Sequence, residues 1–200
     1  MQTHSRFIHA ALLTAVGLTA CLTTAQAQDS LKVGDRAPEF SAVADNGKTW
    51  RTKDHVGKQT LVVYFYPAAM TGGCTKQACG YRDLRTHLTK LGVEVVGVSG
   101  DRNQNLKYFK QVNRLNFPLL SDTSGTIARA FGVPLSNGGT IKRTVDGKEV
   151  ELTRDHTAAR WTFVIGHDGK VAMIETDVNP EGDAQTVAEA IEKMGAGRTP

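Results

Sequence analysis

The sequence predicts an α/β fold: a mixed central sheet flanked by helices on both faces. Three observations carry this. Leu61–Tyr66 and Val93–Ser99 are continuous apolar, β-rich runs of the kind that form strands buried on both faces. Segments of helical period alternate with these and other short strands. The chain then turns to a hairpin followed by an amphipathic helix, which places antiparallel neighbours in the same sheet.

The elements follow in order. Phe40–Ala44 and Thr49–Arg51 flank Asp45-Asn46-Gly47-Lys48, a hairpin signal near the N-terminus. Pro67 ends the first buried strand. From about Cys74 to Leu91, the residues Ala78, Tyr81, Leu84, Leu88 and Leu91 recur at helical spacing, and Gly92 stops the helix. After the second buried strand, Asn105–Val112 reads as a helix with Leu106 and Phe109 on one side. Phe117–Leu120 reads as a short strand and Thr126–Phe131 as a short helix. The stretch 134–159 is polar and glycine-containing and reads as irregular, with a hairpin signal at Asp146-Gly147. Trp161–Gly166 and Val171–Thr176 flank His167-Asp168-Gly169-Lys170, a further hairpin, and Asp183–Met194 closes the chain as an amphipathic helix.

The chain of 200 residues carries 24 basic and 20 acidic side chains, a net charge of +4, with no block of five or six basic residues. Nucleic-acid binding therefore has no support, and the small basic excess reads as a solvated surface. The 20 glycines and 6 prolines follow no period, which excludes collagen-like architecture, and 3 cysteines are too few for a disulfide scaffold.

The N-terminus reads as an export signal. Arg6 precedes an apolar stretch, Ala10–Leu22, that is too short to span a bilayer, for which about 20 residues are needed. Ala25-Gln26-Ala27 matches a small-x-small cleavage site, giving a signal of residues 1–27 and one domain over 28–200. Leu18-Thr19-Ala20-Cys21 competes as a lipoprotein site, at which Cys21 would be lipidated and anchor the product to a membrane. Cleavage after Ala27 is preferred because it leaves a clean polar boundary. Either signal places the product in the periplasm or otherwise outside the cytoplasm.

In open α/β sheets functional groups gather where a strand's carboxyl end meets the next helix. The junction Pro67–Cys74 is such a place. Cys74 falls in the first turn of its helix, where unpaired backbone N–H groups and the positive end of the macrodipole favour a thiolate. Thr71 brings a hydroxyl beside it, and Gly72 and Gly73 allow close approach. Cys79 follows at i+5. On an ideal helix that spacing separates the Cα atoms by about 8.6 Å, whereas a disulfide needs them closer than about 7 Å. The two cysteines can bridge only if the first turns unwind, which suits a transient disulfide better than a permanent one.

Pro67-x-x-x-Thr71-x-x-Cys74 followed by Cys79 resembles the active-site signature of the peroxiredoxins, and the wider match is to their Q-type branch, the bacterioferritin comigratory protein group. Val33-Gly34-Asp35-Arg36-Ala37-Pro38-Glu39-Phe40, Phe117-Pro118-Leu119-Leu120-Ser121-Asp122 and Arg160-Trp161-Thr162-Phe163-Val164-Ile165 extend the resemblance over residues 33–194. It implies a thioredoxin-like fold with an N-terminal extension. It implies that Cys74 is the peroxidatic cysteine, attacking a peroxide oxygen to become a sulfenic acid, and that Thr71 hydrogen-bonds peroxide and thiolate. Arg160 would stabilise the thiolate and the charge developing on oxygen, and Pro67 would shield the pocket. Cys79 would be the resolving cysteine, forming a disulfide that thioredoxin or a similar dithiol reduces. Hydrogen peroxide and small organic hydroperoxides are the implied substrates. No metal or organic cofactor is implied, and the expected state is a monomer or weak dimer. Gly72 departs from the proline common in this branch, and the stretch between Val133 and Arg160 is longer than in typical members.

Two other readings compete. A thiol–disulfide oxidoreductase of the same fold would carry Cys-x-x-Cys, which is absent. A copper-binding chaperone would add a histidine to the two cysteines; His87, His156 and His167 are present, but no spacing ties them to Cys74 or Cys79. Trp50, Trp161 and Tyr81 read as core or pocket-wall residues.

Overall fold

Helices and loops cover β3 (Thr60–Phe65) on both sides, and every residue of it is buried. Its alternation divides the interior in two. Val62, Tyr64 and Tyr66 face one core with residues of the three longer helices, while Leu61, Val63 and Phe65 face a second core with Phe131 and Phe163. A computed structural model describes residues 31–195. The expected export signal, with Ala27 and Cys21, lies outside the described residues.

The chain enters through β1 (Ser41–Ala44) and β2 (Thr49–Arg51), the expected hairpin. β3 leads into α1 (Gly72–Lys90), which returns to β4 (Val93–Ser99); α2 (Asn103–Asn113) leads to β5 (Leu119–Ser121), and α3 (Thr126–Ala130) follows. Two long strands, β6 (Leu135–Val145) and β7 (Lys148–Ala158), precede β8 (Trp161–Ile165), β9 (Val171–Glu175) and α4 (Asp183–Met194). Seven strands form one sheet in the order β2-β1-β5-β4-β3-β8-β9. β3, β4 and β5 are parallel, because α1 and α2 each cross back over the same face. β8 and β9 run antiparallel beside β3 and one another. The units β3–α1–β4 and β8–β9–α4 are the two halves of a thioredoxin fold, and β1 and β2 extend it through β5.

Close packing at the centre depends on Gly97, where a Cβ would stand 2.7 Å from the Tyr64 ring and hydroxyl. Tyr64 in turn stacks on Tyr81 of α1 at a centroid distance of 4.9 Å. This pair helps seat α1 on the sheet.

The stretch 134–159 departs from expectation. It is not irregular: β6 and β7 are an antiparallel ribbon of 11 residues each, forming a separate two-stranded sheet. Asp146 (φ 49) and Gly147 (φ 77) supply the two left-handed positions of a tight turn whose twist matches the strands. The apolar alternation that would have revealed the strands is weak, because only Val145, Leu152 and Ala158 in the ribbon are buried. The ribbon gains its hold from polar contacts. Asn105 Nδ2 donates to the Thr153 carbonyl at 2.8 Å, and Arg102 pairs with Asp155 at 3.0 Å.

Candidate active site

α1 begins where β3 has just left the sheet. Thr71 is its N-cap residue in extended conformation, yet its side chain does not cap the helix. The Thr71 hydroxyl donates instead to the Ala68 carbonyl at 2.8 Å, which leaves its lone pairs and the first helical N–H groups unspent. The first intrahelical bond runs from Thr75 N–H to the Thr71 carbonyl. The N–H groups of Gly72, Gly73 and Cys74 therefore precede the helical ladder and are placed to donate to an anion.

Cys74 is 1% exposed and packs in the core with Tyr64, Tyr66, Ala69 and Ala78. Arg160, reaching in from the start of β8, places Nη2 3.4 Å from Cys74 Sγ. A guanidinium at that distance in a buried setting stabilises negative charge on sulfur and on an oxygen bonded to it. Gly73 makes room for it, since a Cβ there would lie 3.3 Å from Arg160 Nη2. Arg160 is held in turn: its Nη1 donates to Gln77 Oε1 at 2.6 Å. Gln77 Nε2 donates to Asp183 Oδ2 at 2.7 Å, and the same oxygen accepts from Tyr81 Oη at 2.7 Å and Thr162 Oγ1 at 3.0 Å. Burial pushes the Asp183 carboxyl up, while the three donors oppose the shift. The Tyr64 hydroxyl is buried without a hydrogen-bond partner, and burial, together with the negative charge of Cys74, holds its phenol well above the ordinary range. The floor under Cys74 is thus aromatic, and Arg160 is the cation in contact with its sulfur.

The structure brings Arg160 onto Cys74 at the β3–α1 junction, with Thr71 three residues earlier at the N-cap of α1 and its hydroxyl on the Ala68 carbonyl. Pro67, half-buried, is the first residue beyond β3 but one and opens the loop. Cys79 is half-buried farther along the same helix, with Arg82 one turn on; both cysteines are free thiols and α1 is continuous through them. Sequence reasoning missed Gln77 and Asp183. A polar residue one turn after Cys74, on the face that also carries Ala78 and Tyr81, was the available signal for Gln77. Asp183 read only as a helix start.

The histidines stand elsewhere. His87 pairs with Glu192 at 2.8 Å on the surface, His167 is exposed in the β8–β9 turn, and His156 lies on β7. Among the described residues, no three His, Cys, Asp or Glu side chains converge as metal ligands would, so the copper-chaperone reading gains no geometric support.

A family model described as AhpC/TSA matches residues 33–174. The chain belongs to the AhpC/TSA family. Over 147 residues it is 40% identical to Peroxiredoxin Bcp of Escherichia coli (strain K12), covering 74% of this chain and 86% of that one. Peroxidoxin BcpB from Mycobacterium tuberculosis superposes with a TM-score of 0.68 at 33% identity, covering 84% of this chain and 99% of the other. Peroxiredoxin Q of Xanthomonas campestris does so with a TM-score of 0.65 at 28% identity, covering 78% and 91%. These AhpC/TSA relatives are peroxiredoxins of the branch whose signature residues 67–79 resemble, and they share this chain's thioredoxin fold.

Proposed function

We propose that this chain is a thiol-dependent peroxidase in which Cys74 is the peroxidatic and Cys79 the resolving cysteine. The observation that carries the assignment is the buried Cys74 sulfur with Arg160 Nη2 at 3.4 Å, at a helix N-terminus with free N–H groups. The Cys74 thiolate attacks the nearer peroxide oxygen. The S–O bond forms as the O–O bond breaks, and the leaving oxygen departs as hydroxide or alkoxide and takes a proton. Arg160 and the N–H groups of α1 stabilise charge on the oxygens in flight, and Thr71 Oγ1 orients the peroxide. Cys74 is left as a sulfenic acid. The Cys79 thiolate then attacks Cys74 Sγ; the S–S bond forms as the S–O bond breaks, and the leaving hydroxide takes a proton and departs as water. Because α1 is helical through both positions, its first turns unwind before this step. Two thiol–disulfide exchanges with a thioredoxin-like dithiol restore the reduced pair.

Hydrogen peroxide and small organic hydroperoxides suit this arrangement, because either leaves an oxyanion that Arg160 and the N–H groups of α1 can stabilise. A Xanthomonas campestris bacterioferritin comigratory protein with 27% identity and a TM-score of 0.65 has been studied for alkyl peroxide reduction, which supports the organic substrate. We further assign residues 1–27 as an export signal, with lipidation at Cys21 the competing route, and a monomeric or weakly dimeric domain over 28–200; the basis is the sequence pattern of Arg6, Ala10–Leu22 and Ala25-Gln26-Ala27.

The test counts thiols in the reduced protein lacking residues 1–27 after one equivalent of hydrogen peroxide. Wild type should lose two per chain rapidly and Cys74→Ser none, while Cys79→Ser should stall as a trappable sulfenate. Loss no faster than from free cysteine refutes the assignment.

A further inference from the structure

The β6–β7 ribbon touches the reactive loop at a strained point. Met70, between Pro67 and Cys74, has φ 62, a left-handed conformation that a long side chain rarely adopts. Such a residue persists only when its surroundings over-determine it. Arg143, on β6, donates Nε to the Met70 carbonyl at 2.7 Å and Nη1 to the Lys142 carbonyl at 2.7 Å. The preceding N–H, that of Ala69, is held by Asp101 Oδ2 at 2.8 Å. Asp101 is itself bonded to the ribbon's support, because Asn105 Nδ2 contacts both Asp101 Oδ1 at 3.1 Å and the Thr153 carbonyl of β7 at 2.8 Å. Asp101 also bridges to Arg154 of β7 through the backbone. One strand of the ribbon therefore grips the loop directly and the other braces the group that grips it next door.

The gripped residues stand next to the chemistry. Met70 leads directly to Thr71, whose hydroxyl is fixed on the Ala68 carbonyl and which occupies the N-cap position of the helix that presents Cys74. Release of the Met70 carbonyl removes a bond that holds this backbone in the left-handed region, two residues before the start of α1, the part of the helix that must loosen for Cys74 to meet Cys79.

We propose that Arg143 is a positioning residue: by holding the Met70 carbonyl, it keeps the Cys74 loop in its peroxide-reactive shape and restrains the unwinding that forms the Cys74–Cys79 disulfide. The inference rests on the peroxidase reading above. It makes the ribbon a brake on resolution, so that loosening it trades speed with peroxide for speed of disulfide closure.

The test measures both steps separately by rapid mixing of reduced wild type, Arg143→Gln and Arg143→Lys with hydrogen peroxide, and sulfinate formation at high peroxide by mass spectrometry. Arg143→Gln should react with peroxide about tenfold more slowly, close its disulfide several-fold faster, and accumulate less sulfinate on Cys74; Arg143→Lys, which keeps a donor, should recover most of both effects. Equal changes in both steps, or both rates within twofold of wild type, overturn the proposal. A second measurement uses no variant: hydrogen exchange in wild type should show residues 139–150 losing protection together with 68–79 when the disulfide forms, and a ribbon equally protected in both states overturns it. Wild type that does not react with peroxide at all sinks the peroxidase reading and this inference together; normal wild-type turnover with an unresponsive Arg143→Gln sinks only the inference.

Discussion

Gln77 and Asp183 are joined by a 2.7 Å hydrogen bond across the interface of α1 and α4. Gln77 lies between the two cysteines in sequence and bonds Arg160 with its other amide atom. One side chain thus orients the cation at the reactive sulfur and ties the segment that must unwind. Reactive geometry and resistance to resolution are coupled through it.

Gln77→Ala separates those roles. Loss of the amide leaves Arg160 Nη1 without its partner, and the reaction with peroxide should slow about tenfold. Asp183 keeps its bonds from Tyr81 and Thr162, so the folded state should lose about 1–3 kcal/mol rather than collapse. Disulfide closure, freed of the tie, should not slow. Rapid-mixing kinetics together with urea unfolding check all three.

Asp183 predicts a pH dependence. Its carboxyl is held above its ordinary value of 3.8, chiefly by burial. The native state then binds this proton more tightly than the unfolded chain. Its contribution to stability is complete below 3.8 and is lost as pH rises through the native-state value. The stability of wild type relative to Asp183→Asn should therefore fall with rising pH across the carboxylate range and be level above it. Urea midpoints of the two proteins between pH 3.5 and 7 measure this; a difference that grows with pH contradicts it.

Gly72 occupies the first helical position of α1, and a Cβ there would meet nothing within 4 Å. Proline suits the first helical position because its φ is preset there, and the substitution keeps the Gly73 and Cys74 N–H groups while removing that of residue 72. Gly72→Pro should raise stability by about 0.4–1 kcal/mol by restricting the unfolded chain. It should also slow closure of the disulfide, because the turn that must open is stiffer. Thermal melting and the rate of thiol pairing after sulfenate formation decide it.

Gly73→Ala should act on the peroxide step instead. The added methyl would stand 3.3 Å from Arg160 Nη2, so the guanidinium must give way. Helix propensity gains up to about 1 kcal/mol, while the reaction with peroxide falls several-fold. A variant that is more stable but less reactive is the expected outcome; unchanged reactivity would mean that Arg160 tolerates displacement.

Much of the fold was legible because its signals are local. Leu61–Tyr66 and Val93–Ser99 read as buried strands, and Asn46-Gly47 and Asp168-Gly169 marked the β1–β2 and β8–β9 turns. Thr71, Cys74 and Cys79 are close in sequence, so helix geometry placed them. Arg160 is 86 residues from Cys74 and could be assigned only through the family motif. Gln77–Asp183 spans 106 residues and Arg143–Met70 spans 73, and no periodicity encodes such pairings. The β6–β7 ribbon was hidden for another reason. Its strands hold by polar bonds to α2 and the loop after β4, so neither face carries the apolar stripe on which strand recognition depends.

The burial of Cys74 has a consequence for the electron donor. At 1% exposure, its sulfur is out of reach of any protein-sized dithiol while α1 is intact. A hydroperoxide, being small, needs no such access. A dithiol donor therefore reaches the Cys74 sulfur only after the first turns of α1 have opened. The state of α1 thus sorts small oxidant from large reductant, since the first can react while the helix is closed and the second only once it is open.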